Sequence, residues 1–178
     1  PKTVTATRGR PPIVSALAPD FVQRVTAMLM AGKGDLLPVS AFPVDGTYAT
    51  GTTRGEKRNI AQEVPLWEPD LCIQCGKCVI VCPHSVIRSK VVAKDAAAAA
   101  PGGFQFENAR WRELDGMQYT LQVSADDCTG CRLCVEICPA RDKSNVARKA
   151  INMLPRSSVR ADQRAHWDYF LSLPNTFN

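Results

Sequence analysis

Apolar positions divide the chain into short patterned elements separated by stretches with little periodicity. Between Pro19 and Ala31, Val22, Val25 and Leu29 recur on one helical face. Pro19 suits a first turn and Gly32 can close the last one, so this segment predicts an amphipathic helix. Residues 1–18 read as extended, proline-bearing chain. Residues 33–60 contain LPVSAFPVDGTYATGTTRGEKRN, rich in Gly, Pro and Thr, and predict an ordered connector. Further on, SVIRSKVV (85–92) and MQYTLQVS (117–124) read as strands, and KAINML (149–154) predicts a closing strand. VPLWEPDLC simply leads into the segment that follows it. The tail RADQRAHWDYFLSLPNTFN predicts a short amphipathic helix that stops on NTFN without an obvious cap.

Two segments obey a different rule. CIQCGKCVIVCP (72–83) and CTGCRLCVEICP (128–139) each space three cysteines by two residues, set a fourth after three more, and place proline directly behind it. Disulfides require paired Cβ atoms at bonding distance, and three thiols in close series cannot all be paired among themselves. Zinc usually takes two separated pairs on one tetrahedral ion, whereas Cys75 is shared by two overlapping C-x-x-C units. The run C-x2-C-x2-C-x3-C-P instead suits a 4Fe–4S cubane, the fourth cysteine of each run serving the other cluster. All 8 cysteines are used, with none left over.

This predicts two 4Fe–4S clusters, one held by Cys72, Cys75, Cys78 and Cys138, the other by Cys128, Cys131, Cys134 and Cys82. Residues 76–82 and 130–138 predict short helices. Pro83 and Pro139 disfavour helical geometry in the preceding cysteine, so each helix ends there and carries its fourth thiolate away from its own loop. The expected fold is α+β, a bacterial-type dicluster ferredoxin fold: pseudo-symmetric, with two short helices and small antiparallel strands. An N-terminal connector (1–65) precedes the two-cluster domain (66–155), and a C-terminal extension (156–178) follows it. The 45 residues between Cys82 and Cys128 exceed what a minimal hairpin needs. The excess lies in KDAAAAAPGGFQFENARWRELDG, an alanine run, a Pro-Gly-Gly break, then an aromatic and charged stretch.

Residues around the thiols extend this reading. Gly76 and Gly130 would let backbone N–H groups approach sulfur. Ile73, Val79, Ile80, Val81, Leu133, Val135 and Ile137 would form a dry wall. His84 would pack near a cluster, and His166 would be structural. Lys77 and Arg132 are read as matching places inside the two loops, and Arg141, Lys143, Arg148 and Lys149 follow the second run. These cations form either a solvated face or a docking patch for an acidic carrier. GTTRGEK lacks the full spacing of a phosphate-binding loop and reads as a packed turn.

The formal charge of +5 omits the cofactors. Eight thiolates and two oxidised cubane cores bring the loaded chain to about +1, which removes the argument for nucleic acid. No apolar run is long enough to span a membrane, and cysteines reserved for clusters imply a reducing compartment: the cytoplasm, or an organelle with iron–sulfur assembly machinery.

The phrases LPVSAFPVDGTYATGTTRGEKRNIA, WEPDLCIQCGKCVIVCPHSVIRSK and DCTGCRLCVEICPARDKSN, with KAINML, resemble pyruvate:ferredoxin (flavodoxin) oxidoreductase. The first phrase is the most specific of these. The resemblance implies the connector and inserted ferredoxin domain of a larger, homodimeric oxidoreductase. That enzyme would decarboxylate pyruvate oxidatively to acetyl-CoA and pass the electrons to ferredoxin or flavodoxin. It would place Cys128, Cys131, Cys134 and Cys82 around the distal, exit cluster. Thiamine diphosphate and Mg would sit elsewhere in the enzyme, since no G-D-G…N-N motif occurs here, and the chain would carry no catalytic residue of its own. An iron–sulfur subunit of another 2-oxoacid oxidoreductase or of a hydrogenase, and an independent dicluster ferredoxin, share the cysteine runs. The hydrogenase or other subunit should lack LPVSAFPVDGT, and a free ferredoxin would not need residues 1–60.

Overall fold

The computed structural model describes residues 12–57 and 59–175, in two compact units, Pro1–Arg58 and Asn59–Asn178. The expectations for residues 1–11 and for the last three residues of NTFN lie outside the described residues.

In the first unit a π-helical turn, Val22–Thr26, runs directly into α1 (Ala27–Met30). Val22 and Val25 are buried, and Val22 packs with Val14 and Ala18. Leu29 is exposed instead of sharing their face. The wider π turn shifts the following residues around the axis, so regular 3.6-residue spacing misplaces it. Gly32, at φ +69°, ends the helix. Its N–H donates to Leu29 O, and Lys33 N–H reaches back to Met28 O, both at 3.0 Å. The connector then proceeds through single turns at Gly34–Leu36, Val39–Ala41 and Thr52–Arg54. Tyr48 ties it to the helix, through a 2.8 Å hydrogen bond with Thr26 and an edge-on contact with Phe21. GTTRGEK is a packed turn: a Cβ on Gly55 would lie 2.9 Å from Ala18 Cβ.

The second unit contains, in chain order, β1 (Glu63–Trp67), α2 (Lys77–Val81), β2 (Ile87–Val92), β3 (Glu107–Asn108), β4 (Gln118–Val123), α3 (Leu133–Ile137), β5 (Ile151–Pro155) and α4 (Arg160–Ser172). It is a mixed helix-and-strand domain of the α+β class. Strands β1 and β5 form one antiparallel pair, while the other three form a sheet of order β2-β4-β3. The two strands expected at 85–92 and 117–124 pair with each other, from Ile87 opposite Val123 to Val92 opposite Gln118. The closing strand from KAINML pairs with VPLW, in the segment read only as a lead-in. Pro65 disguises β1 in the sequence, but a two-stranded sheet has only edge strands, and these tolerate proline.

Between the sheets and helices lies one core: Val64, Trp67, Ile87, Tyr119, Leu121, Val123 and Ile151, with Cys72, Cys128, Cys134 and Cys138 among them. The long excursion between β2 and β4 has a core of its own. Val92, Phe170 and Leu173 are buried there, with Ala96, Phe104, Phe106, Trp167 and Tyr169 packed around them. Polar bonds join the same partners. His166 Nε2 lies 3.0 Å from Gly102 O, and Tyr169 donates to Ala96 O. The alanine run and the aromatics after it are thus fastened to α4.

Phe170 is stacked on Trp167 at a centroid separation of 5.6 Å and is fully buried. Phe170→Ala should cost about 3–5 kcal/mol through lost burial and the cavity left behind. Chemical denaturation should show an earlier transition, and an unchanged midpoint would mean that α4 contributes nothing to the stability of this unit.

Candidate cluster-binding sites

Each cysteine run begins as a loop with two left-handed residues. In the first these are Gln74 (φ +56°) and Gly76 (φ +70°), and in the second Gly130 (φ +73°) and Arg132 (φ +65°). They occupy the second and fourth places after the leading cysteine in both runs. At the earlier place the backbone N–H turns back on sulfur: Gln74 N–H donates to Cys72 Sγ at 3.3 Å, and Gly130 N–H to Cys128 Sγ at 3.4 Å. Gly130 therefore corresponds to Gln74, and Gly76 to Arg132. The pairing of Lys77 with Arg132 is one residue out, since the counterpart of Lys77 is Leu133.

The two glycines differ in what they permit. A Cβ on Gly130 would lie 3.3 Å from Glu63 O and 3.6 Å from Ala61 Cβ, whereas one on Gly76 would meet nothing within 4 Å. Gln74 accepts left-handed backbone and uses its buried side chain: Nε2 donates to Asn108 O at 2.7 Å, and Oε1 accepts from Arg110 N–H at 2.9 Å. This residue pins the excursion around β3 to the first loop. It was missed in the sequence, where the one available signal was a polar residue at the place of a glycine in the second run.

The left-handed residues Gly76 and Arg132 precede α2 and α3 directly. These helices end at Cys82 (φ −67°, ψ 111°) and Cys138 (φ −65°, ψ 118°), both extended as a following proline requires. The helices pack against each other. Two small cavities of about 20 Å³ each result. The first is lined by Cys72, Cys75, Cys78 and Cys138, and the second by Cys82, Cys128, Cys131 and Cys134.

The walls differ from the dry wall expected. Ile73 and Leu133 line the cavities, but Val79, Ile80, Val81, Val135 and Ile137 do not, and Ile80 is 85% exposed. The cysteines claim the cavity-facing side of each helix, so Val79 and Val135 pack against the core beside them while Ile80 and Ile137 face outwards. The core strands supply the wall instead: Trp67, Tyr119, Leu121 and Ile151 at the first cavity, and Pro65, Ile87 and Met153 at the second. His84 lines the second cavity, beside Cys82.

Burial raises the pKa of three thiols, Cys78, Cys128 and Cys134. It pushes Cys78 up to about 12, with the neighbouring Cys72, Cys138, Cys75 and Cys134 adding to the effect. Cys134 is pushed up to about 11, chiefly by burial. Burial also raises Cys128, against the lowering effect of the Gly130 amide. Loading metal here must therefore expel thiol protons. Among the described residues, no three Cys, His, Asp or Glu side chains converge on a point where one ion could sit. Four sulfurs spread around a cavity, with amide N–H groups turned towards them, match a polynuclear core whose irons each take one thiolate.

Three of the six cations near the runs are already engaged. Arg132 pairs with Glu63, and Arg148 with Glu68 at 2.5 Å and Asp142 at 3.2 Å. Lys149 is buried against the end of α3. Lys77, Arg141 and Lys143 remain exposed. Ahead of the second run, buried Asp126 accepts from Arg156 at 2.8 Å and also from Arg164.

The loop geometry ranks two substitutions. Gly76→Ala should cost only the left-handed penalty of about 1–2 kcal/mol, whereas Gly130→Ala adds a clash with β1 and should cost more. Iron retained per chain during thermal ramping should fall earlier for Gly130→Ala, and equal losses would contradict this account.

Comparison with known proteins completes the description. Residues 71–141 match the 4Fe-4S dicluster domain family, and residues 7–61 match the EKR domain, a domain of unknown function. The chain is 53% identical over 157 residues to a pyruvate-flavodoxin oxidoreductase of Trichormus variabilis, covering 88% of this chain and 13% of that protein. It is 52% identical over 166 residues to the pyruvate-flavodoxin oxidoreductase of Rhodospirillum rubrum, covering 93% and 14%. A pyruvate:ferredoxin oxidoreductase of Moorella thermoacetica is 42% identical over 156 residues, covering 88% and 13%. The chain spans about one-seventh of the length of these curated relatives. No helix among the described residues is long and apolar enough to cross a membrane. Over nine-tenths of its length the chain is similar to pyruvate-flavodoxin oxidoreductases, and residues 71–141 form a 4Fe-4S dicluster domain, which holds two 4Fe–4S clusters.

Proposed function

We propose that the chain is the electron-transfer segment of a pyruvate:ferredoxin (flavodoxin) oxidoreductase, an enzyme that decarboxylates pyruvate oxidatively to acetyl-CoA. Cys72, Cys75, Cys78 and Cys138 would hold one cluster, and Cys128, Cys131, Cys134 and Cys82 the other, in a pseudo-symmetric ferredoxin-type domain. The observation that carries this reading is that each cavity is lined by three thiols of one run and the fourth of the other. When bound, the two clusters supply one-electron relay sites close enough to exchange electrons. This chain's residues fix both sites on one core, donate amide N–H bonds to sulfur, and wall the cavities with apolar side chains.

Thiamine diphosphate and Mg belong to the rest of the enzyme in this reading. The partners are its other domains, a second copy in a homodimer, and an external ferredoxin or flavodoxin, and the compartment is the cytoplasm or an iron–sulfur-assembling organelle. Residues 1–65 serve as connector, 66–155 as the two-cluster domain, and 156–178 as the extension towards a following domain.

Anaerobically reconstituted protein should bind about eight irons and eight acid-labile sulfides per chain. Cys82→Ala should damage the cluster held by Cys128, Cys131 and Cys134, although Cys82 lies in the other run. Reduced-state EPR of Cys82→Ala beside Cys75→Ala reads this directly. Loss of the same signal in both variants would refute the exchange of fourth ligands.

The docking patch for an acidic carrier reduces to Lys77, Arg141 and Lys143, the exposed cations of the original six that are not held by a carboxylate. Lys77 and Ala140, the residue before Arg141, line the first cavity, so this patch flanks the first site, whereas the resemblance makes the other site the exit. Carrier reduction by the whole enzyme should slow as salt shortens the Debye length below about 10 Å. Reversing Arg141 and Lys143 to Glu should lower the second-order rate with the carrier but leave reduction of methyl viologen nearly unchanged. Equal losses with carrier and dye would assign these side chains to cluster support, and no loss with either would place the exit elsewhere.

A further inference from the structure

Lys149 is only 8% exposed, in the turn leading into β5. Its Nζ donates to Val135 O at 2.5 Å and Glu136 O at 3.3 Å, both in the last turn of α3. Among the described residues no carboxylate pairs with it, whereas buried Arg156 has Asp126. An ammonium removed from water and left without an anion is costly. Two carbonyls and the dipole of a five-residue helix offset part of that cost, but neither supplies a full negative charge.

The helix that Lys149 caps carries, as α2 does, one cysteine of each cavity. Val135 directly follows Cys134, which lines the second cavity, and Glu136 is two residues ahead of Cys138, which lines the first. Four thiolates around an oxidised 4Fe–4S core leave a net charge of about −2, and one-electron reduction makes it about −3. The missing anions are therefore the loaded sites themselves. We propose that Lys149 is a fixed internal counter-charge to both clusters, a positioning residue that favours their reduced forms and so raises both reduction potentials. Each reduction adds one electron and one negative charge, which a fixed cation stabilises more than the oxidised state. The inference rests on the cluster-ligand reading above.

The test compares Lys149→Gln with Lys149→Arg in the reconstituted chain. Gln retains N–H donors for the two carbonyls but removes the charge, and Arg keeps the charge. Iron and sulfide are counted on each sample before an EPR-monitored redox titration. With about eight irons bound, Lys149→Gln should shift both midpoint potentials to more negative values, and Lys149→Arg should stay near the unsubstituted protein. Unchanged potentials in a fully loaded Lys149→Gln overturn the inference. If Lys149→Gln cannot be loaded, loading of Lys149→Arg supports a requirement for charge, and failure of both overturns it. A wild-type chain binding four irons or fewer would refute the two-cluster ligand reading instead, independently of Lys149.

Discussion

The fourth thiol of each run has to reach a cavity formed by the other run, and the second unit is organised by that constraint. A cysteine inside a continuing helix would stay beside its own loop. The proline after Cys82 and Cys138 forces extended backbone at each, so the helix stops and the thiol faces across. Helices α2 and α3 must then lie against each other, and the strands flanking them must close around both cavities. Strands β1 and β5 do this for both, with Trp67 and Ile151 at one cavity and Pro65 and Met153 at the other.

The same constraint explains why the two loops use different residues for one conformation. Both need left-handed backbone at two places, but their surroundings differ. The second loop passes so close to β1 that a Cβ at position 130 would lie 3.3 Å from Glu63 O, while the first loop leaves room at position 74 for a side chain. Gln74 then gains partners on the excursion after β2, which a glycine could not make. The loops are thus alike in backbone and unlike in what the side chains hold.

That difference also marks how far the sequence could be read. Cysteine spacing is a local property, and with the proline behind each run it carried the two helix ends. The strands at 85–92 and 117–124 alternate, and alternation is local too. Strand β1 was hidden because its identity depends on pairing with β5 some ninety residues later, and its proline argues locally against a strand. The apolar residues of α2 and α3 were assigned to the cavities because helical periodicity reports which residues share a face, not which face the cysteines claim. Leu29 was misplaced for a related reason: a π turn leaves no local signal in the pattern of apolar residues.

Charge is where local reading fails most instructively. The six cations near the cysteine runs look equivalent in the sequence, yet the fold gives them three different roles. Arg132 and Arg148 are held by carboxylates on and next to β1, Lys149 is taken inside by α3, and only Lys77, Arg141 and Lys143 stay free on the surface. A surface ion pair contributes little to stability, so Arg132 and Arg148 chiefly fix geometry around the loops. A buried cation acts differently, because its field is weakly screened and falls on whatever charge lies nearby. The sum of charges along this chain therefore says little about its partners. What matters is which cations the fold takes inside, as α3 takes Lys149, and which it leaves on the surface.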